Sequence, residues 1–170
     1  MNTISGFGMD TITLNGSLSD KLQAMRGAGF EHVMLMARDL VSHPGGVEAA
    51  VQTLRDSGMR PTGFQVLRDF EGLSGRLHDY KVDVAKSMLQ MCAATGARTL
   101  LACSSALRHA SQDPEHIVAD LRKLAMLALP LGIRVAYEAL SWGRMVHETE
   151  MAYDLVCQAD CPNQIGRAHV

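Results

Sequence analysis

The sequence predicts an α/β fold in which helices alternate with the strands of a parallel sheet. Four times along the chain, a segment with helix-period apolar residues is followed by a glycine and then by a short apolar run. The glycines are Gly29, Gly58, Gly96 and Gly132, at intervals of 29, 38 and 36 residues, which suits one β/α unit. Glycine favours the left-handed conformation in which many helices end, and the runs after it are rich in the branched residues of buried strands.

Each predicted helix carries a single apolar stripe. Apolar residues spaced three, four and seven apart lie on one helix face, as Leu22 and Met25 do in the first. Ser17 or Ser19 is expected to cap that helix, because a serine hydroxyl accepts a hydrogen bond from the first turn. The pattern predicts five strands, at residues 9–14, 33–36, 62–66, 99–102 and 133–137, and five helices, at residues 20–28, 47–54, 84–91, 117–124 and 147–159.

Strict alternation of strands and helices implies parallel strands joined by right-handed crossovers. Two architectures have this arrangement: a complete five-strand open sheet, which would be a small-molecule binding module without catalytic role, and part of an eight-strand barrel. The chain length favours the open sheet, because a full barrel takes about 250 residues. The turn at residues 14–18 favours the barrel, because it lacks the glycine-rich signature that open sheets usually carry after the first strand. The residues alone leave both architectures open.

The composition limits the classes of protein and of partner. The chain has 170 residues, 47% of them apolar and 20% charged, which predicts one globular domain. A net charge of −2 argues against affinity for nucleic-acid phosphates or anionic lipid, so we expect a small-molecule partner. No apolar run approaches the roughly 20 residues of a membrane-spanning helix, and the N-terminus lacks an export signal, which predicts a cytoplasmic protein. Oligomerisation is left open.

Glu138 is the first candidate functional residue. It follows the apolar run at residues 133–137, at the sheet edge where ligands bind in parallel α/β folds. Alternation along the strand places Glu138 on the same face as Ala136, with Tyr137 on the opposite face. A carboxylate there is costly unless it is paired or binds a cation. We therefore expect a functional role, with a simple ion pair as the alternative.

The end of the third predicted strand supplies two candidates for substrate binding, Gln65 and Arg68. The Arg68 guanidinium has the geometry to hold a carboxylate or phosphate through two hydrogen bonds. The alternative for Arg68 is a local salt bridge to Asp69 or Glu71, which would serve only the surface.

The loop after Glu138 supplies two further candidates, Trp142 and Arg144. Loops that follow strands in parallel α/β folds often carry aromatic walls and anion-binding arginines, so we expect both residues to contact substrate. Core packing is the alternative for Trp142. The segment 103–105 after the fourth strand offers hydroxyls and backbone N–H groups to a ligand, but such segments are common in loops of this kind.

Two segments resemble the bacterial 3-dehydroshikimate dehydratases, which belong to the xylose-isomerase-like TIM-barrel superfamily of sugar phosphate isomerases and epimerases. The segments are 137–144 (YEALSWGR) and 64–72 (FQVLRDFEG), and the likeness extends over nearly the whole chain to Asn163. The resemblance implies that residues 1–163 are the first five β/α units of a TIM (β/α)8 barrel, with parallel strands in the order 1-2-3-4-5. Another isomerase, epimerase or inosose dehydratase of the same superfamily is the alternative activity.

The resemblance also implies a metal-dependent enzyme, a lyase or an isomerase. In that family a divalent ion is held by side chains from the ends of strands 5 to 8, and the strand-5 glutamate corresponds to Glu138. The ion, Mg, Mn or Co, would polarise the ketone of 3-dehydroshikimate, so that an α-proton and a β-hydroxyl leave to give protocatechuate. Gln65, Arg68 and Arg144 would bind the substrate's carboxylate and hydroxyls. The other ligands have no counterpart in this chain, so we expect it to be inactive by itself.

The last seven residues, 164–170 (QIGRAHV), do not continue the pattern of the preceding units. They show no strand character and, as codons (AG-ATC-GGA-AGA-GCA-CAC-GTC), they read like the opening of a common sequencing adapter. We therefore expect them to be a non-native tail. Three further units of roughly 34 residues each would bring the chain to about 270 residues, an ordinary barrel length.

Overall fold

The computed structural model describes residues 6–167, and strands and helices alternate over this range. The strands are β1 (Gly8–Asp10), β2 (His32–Met36), β3 (Arg60–Arg68), β4 (Thr99–Cys103), β5 (Arg134–Glu138) and β6 (Gln164–Arg167). The helices are α1 (Leu18–Gly27), α2 (Ala37–Val41), α3 (Gly46–Ser57), α4 (Gly75–Thr95), α5 (Pro114–Ala128) and α6 (Thr149–Ala159). None of these helices has both the length and the apolar character needed to cross a membrane.

The strands form a parallel sheet whose order follows the chain, β1-β2-β3-β4-β5-β6. Paired residues include Met9 with Val33 in the first strand pair and Ala102 with Tyr137 further along. An open doubly wound sheet has its first strand in the middle, so this order excludes the open-sheet binding module. In a barrel segment each β/α unit lies beside the next one along the chain. The observed strand order therefore confirms the predicted partial TIM barrel.

Local capping sets the helix boundaries, as the sequence predicts. The Ser17 hydroxyl accepts the N–H of Asp20, and the Asp20 carboxylate accepts the N–H of Ser17, which forms a capping box at the start of α1. Gly58 ends α3 with a φ of 68°, and Gly132 ends the turn after α5 with a φ of 62°. Glycine adopts this left-handed conformation without steric cost, which confirms these two predicted helix stops.

The chain forms two compact units, the first comprising Met1–Gln65 and Met91–Arg98 and the second Val66–Gln90 and Thr99–Val170. Within the described residues, apolar side chains from strands and helices form each core. In the first unit the buried side chains include Leu22, Met25, Val33, Leu35 and Leu54. In the second unit they include Phe70, Leu100, Leu121, Val135 and Leu155.

Two predicted boundaries are wrong, and one helix was not predicted. The first strand stops at Asp10 rather than residue 14, because the Asp10 carboxylate accepts the N–H of Ile12 at 2.9 Å and starts a 3-10 helix. The short helix α2 follows β2 directly and has no counterpart in the prediction. The last helix begins at Thr149, so His147 lies in the preceding loop instead of opening the helix.

The expectation that the segment 164–170 has no strand is also wrong, because Gln164–Arg167 pairs in parallel with β5. The Asn163 side-chain amide leads the chain into this strand by donating to the carbonyls of Ala125 at 2.8 Å and Ile133 at 3.1 Å. Strand pairing uses backbone groups that nearly every residue carries, so it does not require an alternating apolar pattern. Residues 168–170 of the predicted tail lie outside the described residues.

Candidate functional site at the strand ends

Glu138 is the last residue of β5 and is only 4% exposed. It lies opposite Cys103, the last residue of β4, and the Cys103 thiol donates a hydrogen bond to Glu138 Oε2 at 3.2 Å. The backbone carbonyl of Glu138 accepts the N–H of Ser104 at 2.9 Å. A buried carboxylate therefore lies at the carboxyl end of the sheet, beside the first residues of the loop after β4.

Glu71, in the loop after β3, is a second buried carboxyl group, 3% exposed. Its Oε1 atom accepts hydrogen bonds from the backbone N–H of Ser105 and from the Tyr137 hydroxyl, the latter at 3.0 Å. Burial raises the pKa of Glu71 to about 7, although both hydrogen bonds favour the charged form. No ion pair joins Arg68 to Glu71 or Asp69 among the described residues, so the local salt bridge considered for Arg68 is absent there.

Asp69, like Glu71, binds the loop after β4. Its Oδ1 atom accepts the N–H of Ala106 at 2.9 Å and the hydroxyl of Ser105 at 3.4 Å. Its backbone has a φ of 53°, in the left-handed region that aspartate enters more readily than most side chains. Two carboxyl groups from one loop thus hold the start of the loop after β4.

The loop after β5 contacts the same two serines through its backbone. The Ser104 hydroxyl accepts the N–H of Leu140 at 2.9 Å, and the Ser105 carbonyl accepts the N–H of Arg144 at 2.6 Å. At Gly143, a Cβ atom would lie 2.4 Å from the carbonyl oxygen of Val146 and 2.7 Å from the Ser104 hydroxyl. The close approach therefore requires glycine at this position.

The side chains of Arg68, Trp142 and Arg144 are exposed at this edge of the second unit. Trp142 is 67% exposed, so core packing, the alternative considered for it, is excluded. The Arg68 carbonyl accepts a hydrogen bond from the Lys81 ammonium at 2.8 Å, and the residue as a whole is exposed. The roles of these three residues in substrate binding stay predictions.

Gln65 belongs to the first unit, where it is 6% exposed and donates a side-chain hydrogen bond to the Asp10 carboxylate. The same Asp10 caps the 3-10 helix after β1, and Thr11 in that helix accepts the N–H of Met36 at 2.9 Å. Gln65 therefore belongs to a group of hydrogen-bonded polar side chains near the carboxyl ends of the first strands. Its predicted contact with substrate stays a prediction.

Helix α5 holds the loop after β3 from its other side. The Asp120 carboxylate accepts the N–H of Gly72 at 2.9 Å, and the Gly72 carbonyl accepts the N–H of Ser111 at 2.7 Å. His78 and His116 each place Nε2 3.5 Å from an Asp120 oxygen. Burial raises the pKa of Asp120, while the N–H of Gly72 and the nearby histidines act in the opposite direction.

A divalent ion needs several ligand atoms, and residues 6–167 contain no group of three His, Cys, Asp or Glu side chains placed to hold one. The Glu138 carboxylate and the Cys103 thiol form a pair of potential ligands at the ends of β5 and β4. Two ligands do not complete a metal centre. The described residues therefore do not by themselves fit a resident ion.

The sequence analysis did not predict the hydrogen bonds that Glu71, Tyr137 and Cys103 make at the carboxyl end of the sheet. The sequence suggests Glu71 only as a salt-bridge partner for Arg68, and Tyr137 only as the residue on the opposite face of the strand from Glu138. The available signal was strand register, because β4 and β5 end in the adjacent residues Cys103 and Glu138. No local pattern indicates that Glu71 turns inward.

The chain belongs to the xylose isomerase-like TIM barrel family, whose model matches residues 22–166. This match agrees with the observed strand order.

Among its relatives, the chain is 35% identical over 153 residues to a 3-dehydroshikimate dehydratase of Pseudomonas aeruginosa, a match that covers 90% of this chain and 24% of that protein. It is also similar to the solved structure of a xylose isomerase-like TIM barrel/4-hydroxyphenylpyruvate dioxygenase fusion protein, with a TM-score of 0.87 and 34% identity over 94% of this chain and 26% of that one. The IolI protein with a bound zinc atom has a TM-score of 0.78 and 19% identity, covering 92% of this chain and 60% of that one, which shows the shared fold. The chain thus spans about a quarter of the length of the first two proteins.

Proposed function

We propose that this chain is part of a lyase that dehydrates 3-dehydroshikimate to protocatechuate. The observation that carries the proposal is the 35% identity to a 3-dehydroshikimate dehydratase over 90% of this chain. Similarity to the IolI protein is weaker evidence for activity, because a structure that shares 19% identity supports only the fold. The reaction removes an α-proton and a β-hydroxyl group from the ring, which leave as water while the ring becomes aromatic and the carboxylate is unchanged.

The exposed guanidinium groups of Arg68 and Arg144 are proposed to hold the substrate carboxylate. Both lie at the carboxyl ends of strands in the second unit, and a guanidinium can donate two parallel hydrogen bonds to a carboxylate. The indole of Trp142, exposed in the same loop as Arg144, is proposed to cover the ring. Gln65 is proposed to contact a substrate hydroxyl through its carbonyl oxygen, because its amide nitrogen is engaged with Asp10.

Glu138 is proposed to be one ligand of a divalent ion in the longer protein. Its burial at 4% exposure supports this role, because a carboxylate in such a place gains from a nearby cation. The remaining ligands would come from sequence that the dehydratase relative has beyond the matched quarter. The 170-residue chain is accordingly proposed to lack dehydratase activity, and Mg, Mn and Co are the candidate ions.

The test is formation of protocatechuate from 3-dehydroshikimate by the longest protein that the source locus encodes. We expect turnover by the wild-type protein and a fall of about a hundredfold or more in kcat for Glu138→Gln, which removes the charge and keeps the shape. Glu150→Gln is the matched control, because Glu150 is an exposed glutamate in the first turn of α6. Absence of turnover in the wild-type protein with each of the three ions would contradict the proposal.

Residues 164–170 are proposed to be a non-native tail, because the opening of a common sequencing adapter, translated in one frame, encodes this amino-acid sequence. The pairing of Gln164–Arg167 with β5 is compatible with this origin, since it uses backbone groups. Resequencing the source locus through the codon for Asn163 tests the idea. We expect the codons after this point to differ from those of Gln164–Val170, and an uninterrupted genomic sequence that encodes the same seven residues would refute it.

A further inference from the structure

Ser104 and Ser105 connect three loops of the second unit, and both are buried, at 1% and 4% exposure. From the loop after β3, Glu71 binds the N–H of Ser105. From the loop after β5, the N–H groups of Leu140 and Arg144 bind Ser104 and Ser105 respectively. We name these two residues the serine hub. The serine hub is buried and hydrogen-bonded to the loops after β3 and β5. A shift of Ser105 should therefore move at least one of these two loops.

Glu71 is one of two residues that join the serine hub to β5; the other is Glu138, whose backbone carbonyl accepts the N–H of Ser104. One oxygen of Glu71, Oε1, accepts hydrogen bonds from both the Ser105 backbone and the Tyr137 hydroxyl. Tyr137 is fully buried on β5, next to Glu138, so this oxygen bridges the loop after β4 and a strand of the core. A side chain with a single acceptor shared by two buried donors controls the separation of those donors.

We propose that Glu71 is a positioning residue: by bridging Ser105 and Tyr137, it sets the position of the loop after β5 that presents Trp142 and Arg144. Its side chain is 3% exposed, and these hydrogen bonds join it to Ser105 and Tyr137 rather than to the two residues that would meet substrate. Its relevance to catalysis rests on the proposed function, whereas the coupling between Glu71 and the loop is a property of the chain without substrate.

The ionisation of Glu71 provides a way to observe this coupling. The groups that face it are Asp69 from its own loop, Tyr137 from β5 and the backbone of Ser105, and Cys103 in turn faces Tyr137. Since burial raises the pKa of Glu71 to about 7, both the neutral acid and the carboxylate are populated near neutral pH. The carboxylate accepts hydrogen bonds more strongly than the neutral acid, so ionisation should pull Ser105 and Tyr137 together.

Trp142 is a natural reporter of the loop position. It is the single tryptophan of the chain and is 67% exposed, so its emission responds to small changes of its surroundings. Its neighbour Gly143 packs closely on the Ser104 hydroxyl, which links the indole to the serine hub. The Ser105 amide proton is a second reporter, because it binds Glu71 directly.

The experiment is a pH titration of the purified chain from pH 5 to 8.5, followed by Trp142 emission and by the Ser105 amide resonance. For the wild-type chain we expect both signals to change with a shared midpoint near 7. Glu71→Gln keeps the Oε1 acceptor and cannot ionise, so it should abolish this transition in both signals while preserving the low-pH emission. Glu71→Ala removes the acceptor, and its emission should differ from that of the wild-type chain throughout.

Two matched variants separate Glu71 from its neighbours. Asp69→Asn removes the other carboxylate of the loop, and His147→Gln removes the imidazole closest in sequence to Trp142; we expect both to retain the transition. A transition that persists in Glu71→Gln, or that is lost in His147→Gln, would overturn the proposal, as would a wild-type chain with no transition. Because no substrate is used, these outcomes differ from a failure of the proposed dehydratase activity.

Discussion

Two loops bind the serine hub, one through its side chains and the other through its backbone. The loop after β3, residues 69–74, contacts it through the carboxyl groups of Asp69 and Glu71. The loop after β5, residues 139–148, contacts it through backbone N–H groups, and the side chains of Trp142 and Arg144 are exposed.

The difference indicates a division of roles between the two loops. Side chains that are used to hold the structure are not available to a ligand, as with Glu71, which is buried and bonded to two donors. A loop held by its backbone keeps its side chains free to meet one, as with Trp142 and Arg144. Substitution of the bonded carboxyl side chains should therefore affect stability in the first loop, whereas in the second loop truncation of the exposed side chains should affect ligand binding and only changes that disturb the backbone should affect stability.

Glu71→Ala should have the largest effect on stability. It leaves the buried N–H of Ser105 and the hydroxyl of Tyr137 without their acceptor, and each buried unsatisfied group costs roughly 1–3 kcal/mol, so we expect a loss of about 4 kcal/mol. Urea unfolding at pH 5 measures the change. Glu71→Gln is the matched control and should lose less than about 1 kcal/mol, because it retains the acceptor oxygen; equal losses in the two variants would contradict the account.

The pH dependence of stability should be the next largest effect. The pKa of Glu71 is raised from 4.5 to about 7, so the folded state binds its proton more tightly than the unfolded state does. The stability that the neutral acid contributes is fully present below pH 4.5 and is lost as pH rises to about 7, a decrease of about 3 kcal/mol. Unfolding curves across this range should show the slope in the wild-type chain.

The same curves for Glu71→Gln separate its contribution from that of other acids. The pKa of Asp120 is also raised, chiefly by burial, so a decrease in the same direction should remain in this variant. Identical pH slopes for the wild-type chain and Glu71→Gln would mean that Glu71 does not titrate as described.

Gly143→Ala should have an intermediate effect, because it tests the backbone contacts of the second loop. The added Cβ would lie 2.4 Å from the carbonyl oxygen of Val146 and 2.7 Å from the Ser104 hydroxyl, closer than atoms can pack. We expect a loss of about 2 kcal/mol in urea unfolding, as for other overpacked sites. Gly46→Ala is a control with open space around its Cβ but a φ of 78°, so it reports backbone strain without a clash. A smaller loss at Gly143 than at Gly46 would count against close packing there.

Arg144→Ala should leave stability within about 0.5 kcal/mol, because the side chain is exposed and only the backbone N–H binds Ser105. In the longer protein the same change should raise KM for 3-dehydroshikimate about tenfold or more, since a charged hydrogen bond contributes roughly 1.5–3 kcal/mol. Arg144→Lys should recover only part of the affinity, because lysine cannot donate two parallel hydrogen bonds. An unchanged KM in Arg144→Ala would remove this residue from the substrate site.

Most of the fold could be predicted from the sequence, because it depends on local signals. The apolar stripes, the capping serine Ser17 and the helix-ending glycines all act over a few residues, and each appears in the structure as expected. The shortening of β1 was not predictable from apolar character, because the Asp10 side chain overrides it by capping the next turn. The strand β6 was missed for a related reason, since backbone pairing at the edge of β5 requires no apolar pattern.

The candidate site could be predicted only in part. Alternation along β5 placed Glu138 at the strand end, and its burial follows from that position. The inward turn of Glu71 depends on Ser105 and Tyr137, which are 34 and 66 residues away in the sequence. Contacts between residues so distant along the chain leave no periodic signal in a single sequence.

Metal binding by the longer protein is the most direct test of the claim that Glu138 is the functional carboxylate of this site. Titration calorimetry with Mn²⁺ and Mg²⁺ should show one bound ion in the wild-type protein. Glu138→Gln should weaken binding about tenfold or more, because it removes a charged ligand, whereas Glu150→Gln should bind like the wild-type protein. Equal affinity in the wild-type protein and Glu138→Gln would contradict the central claim, whatever activity the protein has.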